Sequence, residues 1–281
     1  MKKVCLVLTG MLLFLLIIGA AMSFFSKVQT GEKIGLIRVE GAISGSRATI
    51  EALNDFKDDP SIKAIVMRVD SPGGGVAPSQ EIYEEVKKCA AKKRVVVSMG
   101  SLAASGGYYI SVPATKIFAD PGTITGSIGV IMEVPNVQGL MSKIGLKTEV
   151  IKSGRNKDIG SPFKSMTAEQ RRILQEGLDN VHEQFIEAVA QGRKMPVDLI
   201  RQLADGRIFT GQQAKTLGLV DSLGDLEDAI TAAKNMAGIK GKPSIVEKKK
   251  TKGIFELFRS QVSSSISGIY PSFKIGYLFA P

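Results

Sequence analysis

Apolar and polar positions divide the chain into three stretches. The first, Val4 to Phe25, is apolar except at Thr9, Gly10, Gly19 and Ser23. Its length of roughly 22 residues suits a bilayer-spanning helix better than the apolar core of about 7–15 in a secretory leader. Lys2 and Lys3 ahead of it favour a cytoplasmic N-terminus, and Lys27 behind it weakens that asymmetry. Gly19-Ala20-Ala21 has the small residues of a cleavage site, so a cleaved leader stays open. Either reading exports the rest of the chain. The organisation expected is a cytoplasmic end (1–3), a single-pass anchor (4–25) and a linker (26–33).

The second stretch, 34–238, alternates short β-branched runs with helical periodicity. Strands are expected at Ile34–Val39, Ile62–Val69, around Val95-Val96-Val97, at Lys116–Ala119, after Ser127, at Thr148–Lys152 and at Leu219-Val220. Helices are expected at 47–57, 78–93, 136–144, 167–192, 197–204, 211–217 and 225–237. Such alternation implies an α/β layered fold. Thr167-x-x-Gln170 is a capping box for the longest helix, whose apolar stripe is Leu174, Leu178, Val181, Phe185 and Ala188. From Ile239 the pattern fades into a basic run, Lys248 to Gly253, and then an apolar tail.

Composition narrows the chemistry. His182 is the only histidine and falls beside the helical stripe, where it reads as a structural or surface residue. Zinc sites built from several His and Cys are therefore not available, and no metal is expected. Only Cys5 and Cys89 occur, and Cys5 lies in the apolar run, so no intramolecular disulfide is expected. The net charge is +10, yet residues 34–238 hold 25 Lys and Arg against 24 Asp and Glu. The excess sits at the two ends, which favours a membrane-proximal role over a nucleic-acid face.

Two small-residue turns carry candidate chemistry. Asp70-Ser71-Pro72-Gly73-Gly74-Gly75 opens a helix, where backbone N–H groups can face an anion. A phosphate loop or an oxyanion hole would each fit, although the Gly-Lys-Ser/Thr ending of a phosphate loop is missing. In Arg94 to Ile110 the valine strand breaks into Gly100, Ala103, Ala104, Ser105, Gly106 and Gly107. Ser105 is either a helix N-cap or a nucleophile presented at a carboxyl strand end. A nucleophilic serine needs a base, and a desolvated lysine serves because burial lowers its pKa. Lys157, in the loop after Thr148–Lys152, is the best placed, although it also reads as an ordinary surface lysine. Asp158 beside it must point elsewhere or pair with Arg155.

Asp70–Gly75 (DSPGGG), Ser98–Ile110 (SMGSLAASGGYYI), Thr125–Ile131 (TGSIGVI) and Ser153–Pro162 (SGRNKDIGSP) resemble, in order and spacing, the signal peptide peptidase A family. These are bacterial membrane-bound serine endopeptidases of ClpP/crotonase-like fold, and Asp205–Asp221 also fits. One copy of each motif implies the short, single-domain form, with a peptidase domain over 34–238 and a basic then apolar tail over 239–281. The resemblance implies a Ser-Lys dyad of Ser105 and Lys157, an oxyanion hole from the N–H groups of Gly74 and Gly106, and Ser127 orienting the lysine amine. It implies no cofactor, and a homo-oligomer, an octameric ring, with Ser and Lys brought together from adjacent protomers. The implied substrates are remnant signal peptides and other unfolded apolar segments at the outer face of the cytoplasmic membrane.

Small residues around Ser105 suit an extended peptide added alongside a strand. Residues 269–281 are expected to lie in that groove, of this body or a neighbour's, as a product-like or inhibitory segment. A crotonase-type acyl-CoA enzyme would share the fold and the oxyanion hole, but would need acidic catalytic residues. A catalytically silent membrane scaffold with a lipid-binding basic tail is the rival from another class.

Overall fold

The structure, a computed structural model, describes Met11, Phe14, residues 32–248 and the backbone of 275–278. Apart from Met11 and Phe14, the expected anchor, 4–25, lies outside the described residues, as does most of the tail. Among the described residues no helix is long and apolar enough to cross a membrane.

The chain runs β1 (Lys33–Glu40), α1 (Arg47–Asp58), β2 (Ile62–Ser71), β3 (Gly73–Gly75), α2 (Val76–Lys92), β4 (Arg94–Ala104), α3 (Gly106–Ser111) and β5 (Lys116–Ala119). Then come β6 (Ile124–Gly126), β7 (Ile131–Met132), α4 (Gln138–Lys143), α5 (Ala168–Arg193), α6 (Val197–Leu203), β8 (Ile208–Thr210), α7 (Gly211–Thr216), β9 (Ser222–Leu223), α8 (Leu226–Met236), β10 (Ser244–Glu247) and β11 (Ile275–Leu278).

A parallel sheet in the order β10-β1-β2-β4-β5-β9 forms the frame. Its central strands read as near-continuous apolar runs because both faces are covered. The period of two divides them cleanly. Ile34 and Leu36 of β1, Ala64 and Val66 of β2 and Val96 of β4 pack against Ala229 and Ala233 of α8. Ile37, Val39, Ile65, Met67, Val69, Val95, Val97 and Met99 face the other way, into the larger core with α1, α2, α3 and α5. Gly35 sits on that second face because a Cβ there would run into the ring of Phe56.

Two smaller assemblies grow from the carboxyl end of this frame. The parallel strand β6 joins the last residues of β4, and β8 adds antiparallel to β6. Separately, β3, β11 and β7 form a three-stranded antiparallel sheet with β11 in the middle.

Three expectations are corrected. Thr148–Lys152 forms no strand: it pairs with none of the described strands, and Val150 and Ile151 are exposed instead of packed against a sheet. Leu219 and Val220 are buried in a turn, and the short strand comes just after them, at β9. The fading region after Ile239 holds β10, which pairs with β1 and extends the frame. The helix opened by Thr167 is as expected, with both hydrogen bonds of its capping box made.

Candidate active site

β4 is the longest of the described strands, and it delivers Ser105. The strand ends at Ala104, and Ser105 turns into α3 with φ 53° and ψ −117°. A non-glycine residue with positive φ is held against its preference by its surroundings, at a cost of about 1–3 kcal/mol, and such residues gather at functional sites. The surroundings here are specific. Ser105 N–H donates to Gly126 O at 2.8 Å, and Ser105 O accepts from Tyr109 N–H at 2.8 Å. Gly106 and Gly107 must be small: a Cβ on Gly107 would stand 2.7 Å from Ser71 O, and one on Gly106 would stand 2.7 Å from Ser79 Oγ. A sharp strand-to-helix corner with a strained serine is a geometry that can present a hydroxyl as a nucleophile elbow does.

The glycine loop lies against this corner. Gly73 N–H donates to Ser71 Oγ at 3.1 Å, and Gly75 N–H donates to Ile43 O at 2.8 Å. Ile43 N–H in turn donates to Gly73 O at 2.8 Å, which fixes the plane of the Gly73–Gly74 peptide. The N–H of that peptide belongs to Gly74, and its nitrogen lies 3.1 Å from where a Gly106 Cβ would stand. Gly106 is the first residue of α3, so its own N–H has no acceptor within the helix. The structure therefore brings the Gly74 and Gly106 amides to one place beside Ser105.

Ser127 lies alongside. The pair Ala104 with Gly126 ends the β4–β6 register, and Ser105 and Ser127 are the next residue of each strand. Ser127 too has a positive φ, 51°, and its N–H donates to Arg207 O at 2.8 Å.

Lys157 is placed differently. It is exposed, in a turn where its N–H donates to Gly154 O at 3.1 Å. Among the described residues no hydrogen bond or ion pair joins its side chain to Ser105, Ser127 or an acid. Asp158 pairs with Lys152 at 2.7 Å and Lys164 at 2.8 Å and not with Arg155, which pairs with Glu169. Hydrogen bonds from Lys152 and then Lys164 hold the Asp158 carboxyl down at about 2. A depressed carboxylate contributes fully above its ordinary pKa and loses that contribution only as pH falls through the folded value. Its ties to the two lysines therefore persist through neutral and mildly acid pH.

His182, half-buried on α5, lines a groove of about 560 Å³ with Ser127, Leu178 and Asp179. Its Nε2 is buried without a hydrogen-bond partner. Cys89 is buried, and desolvation pushes its thiol up to about 11, which makes it inert at neutral pH. No group of residues suited to a metal ion occurs among the described residues.

A family model described as Peptidase family S49 matches residues 87–240, more than half of the chain. The chain belongs to peptidase family S49. A second model, described as Clp protease, matches residues 36–123, in keeping with the ClpP-like frame of this S49 protein. A Synechocystis sp. protein assigned to the proteases is 47% identical over 215 residues, 76% of this chain and 77% of that one. Protease 4 of Salmonella typhi is 40% identical over 228 residues, 78% of this chain and 37% of its own. The chloroplastic serine protease SPPA of Arabidopsis thaliana is 32% identical over 259 residues, 86% of this chain and 38% of its own. This S49 chain is a serine protease, a hydrolase.

Sequence reasoning missed Ile43 and Ser79, which hold the glycine loop from its two sides. Neither carries a signal in the sequence, since one acts through its backbone and the other is a lone helix serine.

Proposed function

We infer that the chain is a membrane-anchored Ser-Lys endopeptidase that degrades remnant signal peptides and other unfolded apolar segments after export. The observation that carries this reading is the seat of β11. Its backbone lies antiparallel between β3 and β7, with Tyr277 paired to Gly74 and Gly276 paired to both Gly75 and Ile131. An extended segment thus occupies the edge of the oxyanion loop through main-chain pairing, which reads backbone more than sequence and suits unfolded substrates.

In the mechanism proposed, Ser105 Oγ attacks the scissile carbonyl and Lys157, as the neutral amine, takes the hydroxyl proton. The N–H groups of Gly74 and Gly106 receive the oxyanion, where one lost donor typically costs on the order of 3 kcal/mol. Lys157 then protonates the departing amine, and water hydrolyses the acyl-Ser105 ester with Lys157 again as base. Ser127 orients the lysine. A lysine fit for this must be desolvated, whereas Lys157 is exposed in a single chain. The same segment exposes Leu140, Ile144, Leu146, Val150, Ile151 and Phe163, an apolar surface suited to burial under a second copy. A ring of copies, octameric as in the family resembled, would bury Lys157 of one protomer beside Ser105 of the next. The apolar run from Val4 to Phe25 would hold the ring to the membrane, with the catalytic domain on the extracytoplasmic face.

Hydrolysis by the full-length protein tests the substrate class. An unstructured apolar fluorogenic peptide is expected to be cleaved, and a folded protein carrying the same sequence in a structured element is expected to resist. Equal cleavage of the two would remove the reading of an unfolded substrate. The tail is tested by a chain ending at Lys274. A tethered competitor acts at high effective concentration, so truncation is expected to raise peptide turnover roughly three- to tenfold, through a lower KM. Unchanged KM would mean that β11 does not compete with substrate.

A further inference from the structure

We propose that Ser79 is a positioning residue that ties the two arms of the oxyanion hole together. The inference rests on Gly74 and Gly106 being the two donors.

Ser79 lies in the first turn of α2 and is fully buried. Its Oγ donates to Gly75 O at 2.9 Å, which anchors the end of the glycine loop to the helix. The same oxygen stands 2.7 Å from the position a Gly106 Cβ would take, with Gly73 Cα and Gly74 N each 3.1 Å from that position. One hydroxyl thus bonds the glycine-loop arm and touches the bare face of the nucleophile arm. Ile43 clamps the loop from the other side, through backbone bonds to Gly73 and Gly75. The Ser71 side chain, which accepts from Gly73 N–H, lies against Gly107 one residue further on, whereas Ser79 reaches from the glycine loop to Gly106 itself.

The physical consequence is geometric. Two N–H groups stabilise an oxyanion only if both reach the same oxygen, and hydrogen bonds weaken steeply with misalignment. Without the Ser79 hydroxyl, the Gly75 carbonyl loses a donor and a space opens between loop and corner. The Gly74 amide can then drift from the Gly106 amide by tenths of an ångström. Such displacement costs turnover far more than it costs binding. A serine bonding back to a carbonyl four residues earlier is common in helices and by itself implies nothing. Ser111 does the same toward Gly107 O at 2.7 Å, equally buried, with its bond made inside the helix after Ser105 instead of to the glycine loop. It supplies the comparison.

The experiment uses full-length protein with Ser79→Ala and Ser79→Cys, the second filling the space with a weak donor should the first fail to fold. Peptide hydrolysis is measured together with inhibition by a peptide aldehyde, whose hemiacetal oxygen on Ser105 takes the oxyanion's place, and by the matching peptide alcohol. In both variants kcat is expected to fall about tenfold with KM within about twofold, and the aldehyde Ki to rise by the same factor as kcat falls. Ser111→Ala gives the measure of a generic buried back-bond, and the aldehyde Ki is expected to stay near the wild-type value in it. A wild type that binds aldehyde no better than alcohol would overturn the oxyanion-hole reading, and this inference with it. A wild-type preference for aldehyde that the folded Ser79 variants retain would overturn the role of Ser79 alone.

Discussion

Ser105→Ala in the full-length protein is expected to lower peptide hydrolysis on the order of 10⁴-fold or more, with the melting temperature nearly unchanged. The size follows from the role proposed for it, in which the serine oxygen would form the acyl bond. The near-constant stability follows from the backbone. The φ of 53° at this position is imposed by the hydrogen bonds to Gly126 and from Tyr109, which alanine leaves in place. Activity assays paired with thermal unfolding separate the two. Turnover above a hundredth of wild type would mean that the corner is only a turn.

Lys157→Ala is expected to cost about 10³- to 10⁴-fold, the range of a general base used in both half-reactions. Its second consequence is distinctive. If Ser105 of one protomer works with Lys157 of the next, each single mutant leaves the other residue intact. After subunit exchange of an equal mixture of the Ser105→Ala and Lys157→Ala chains, about a quarter of the sites would combine a functional serine with a functional lysine. Turnover is therefore expected to recover to about a quarter of wild type. Loss in both mutants without recovery on mixing would place the dyad inside one protomer. The exposure of Lys157 and the turning of Asp158 toward Lys152 and Lys164 are why recovery is expected.

What was legible in the sequence was local. The valine run of β4, the small residues that turn it at Ser105, and the Thr167–Gln170 box each state their conformation within a few residues. What was not legible depends on partners far along the chain. β10 is short and exposed on most of its residues, and becomes a strand because the edge of β1 is open to it. Gly73–Gly75 has poor strand propensity, yet it forms β3 because Ile43 fixes it on one side and β11 pairs with it on the other. Thr148–Lys152 shows the converse, a run with three β-branched residues, Thr148, Val150 and Ile151, that pairs with no described strand. The candidate site divides in the same way. Ser105, Gly106 and Ser127 follow strand ends and Gly74 lies in the short β3, and these meet in one chain, while Lys157, on a long excursion between β7 and α5, does not join them.

Covalent labelling tests the central claim most directly. Full-length protein is treated with a serine-reactive fluorophosphonate until hydrolysis stops, digested, and mapped by mass spectrometry. The account predicts a single phosphonyl adduct on Ser105, in proportion to the activity lost. Complete inactivation with the adduct on another serine, and Ser105 unmodified, would contradict it.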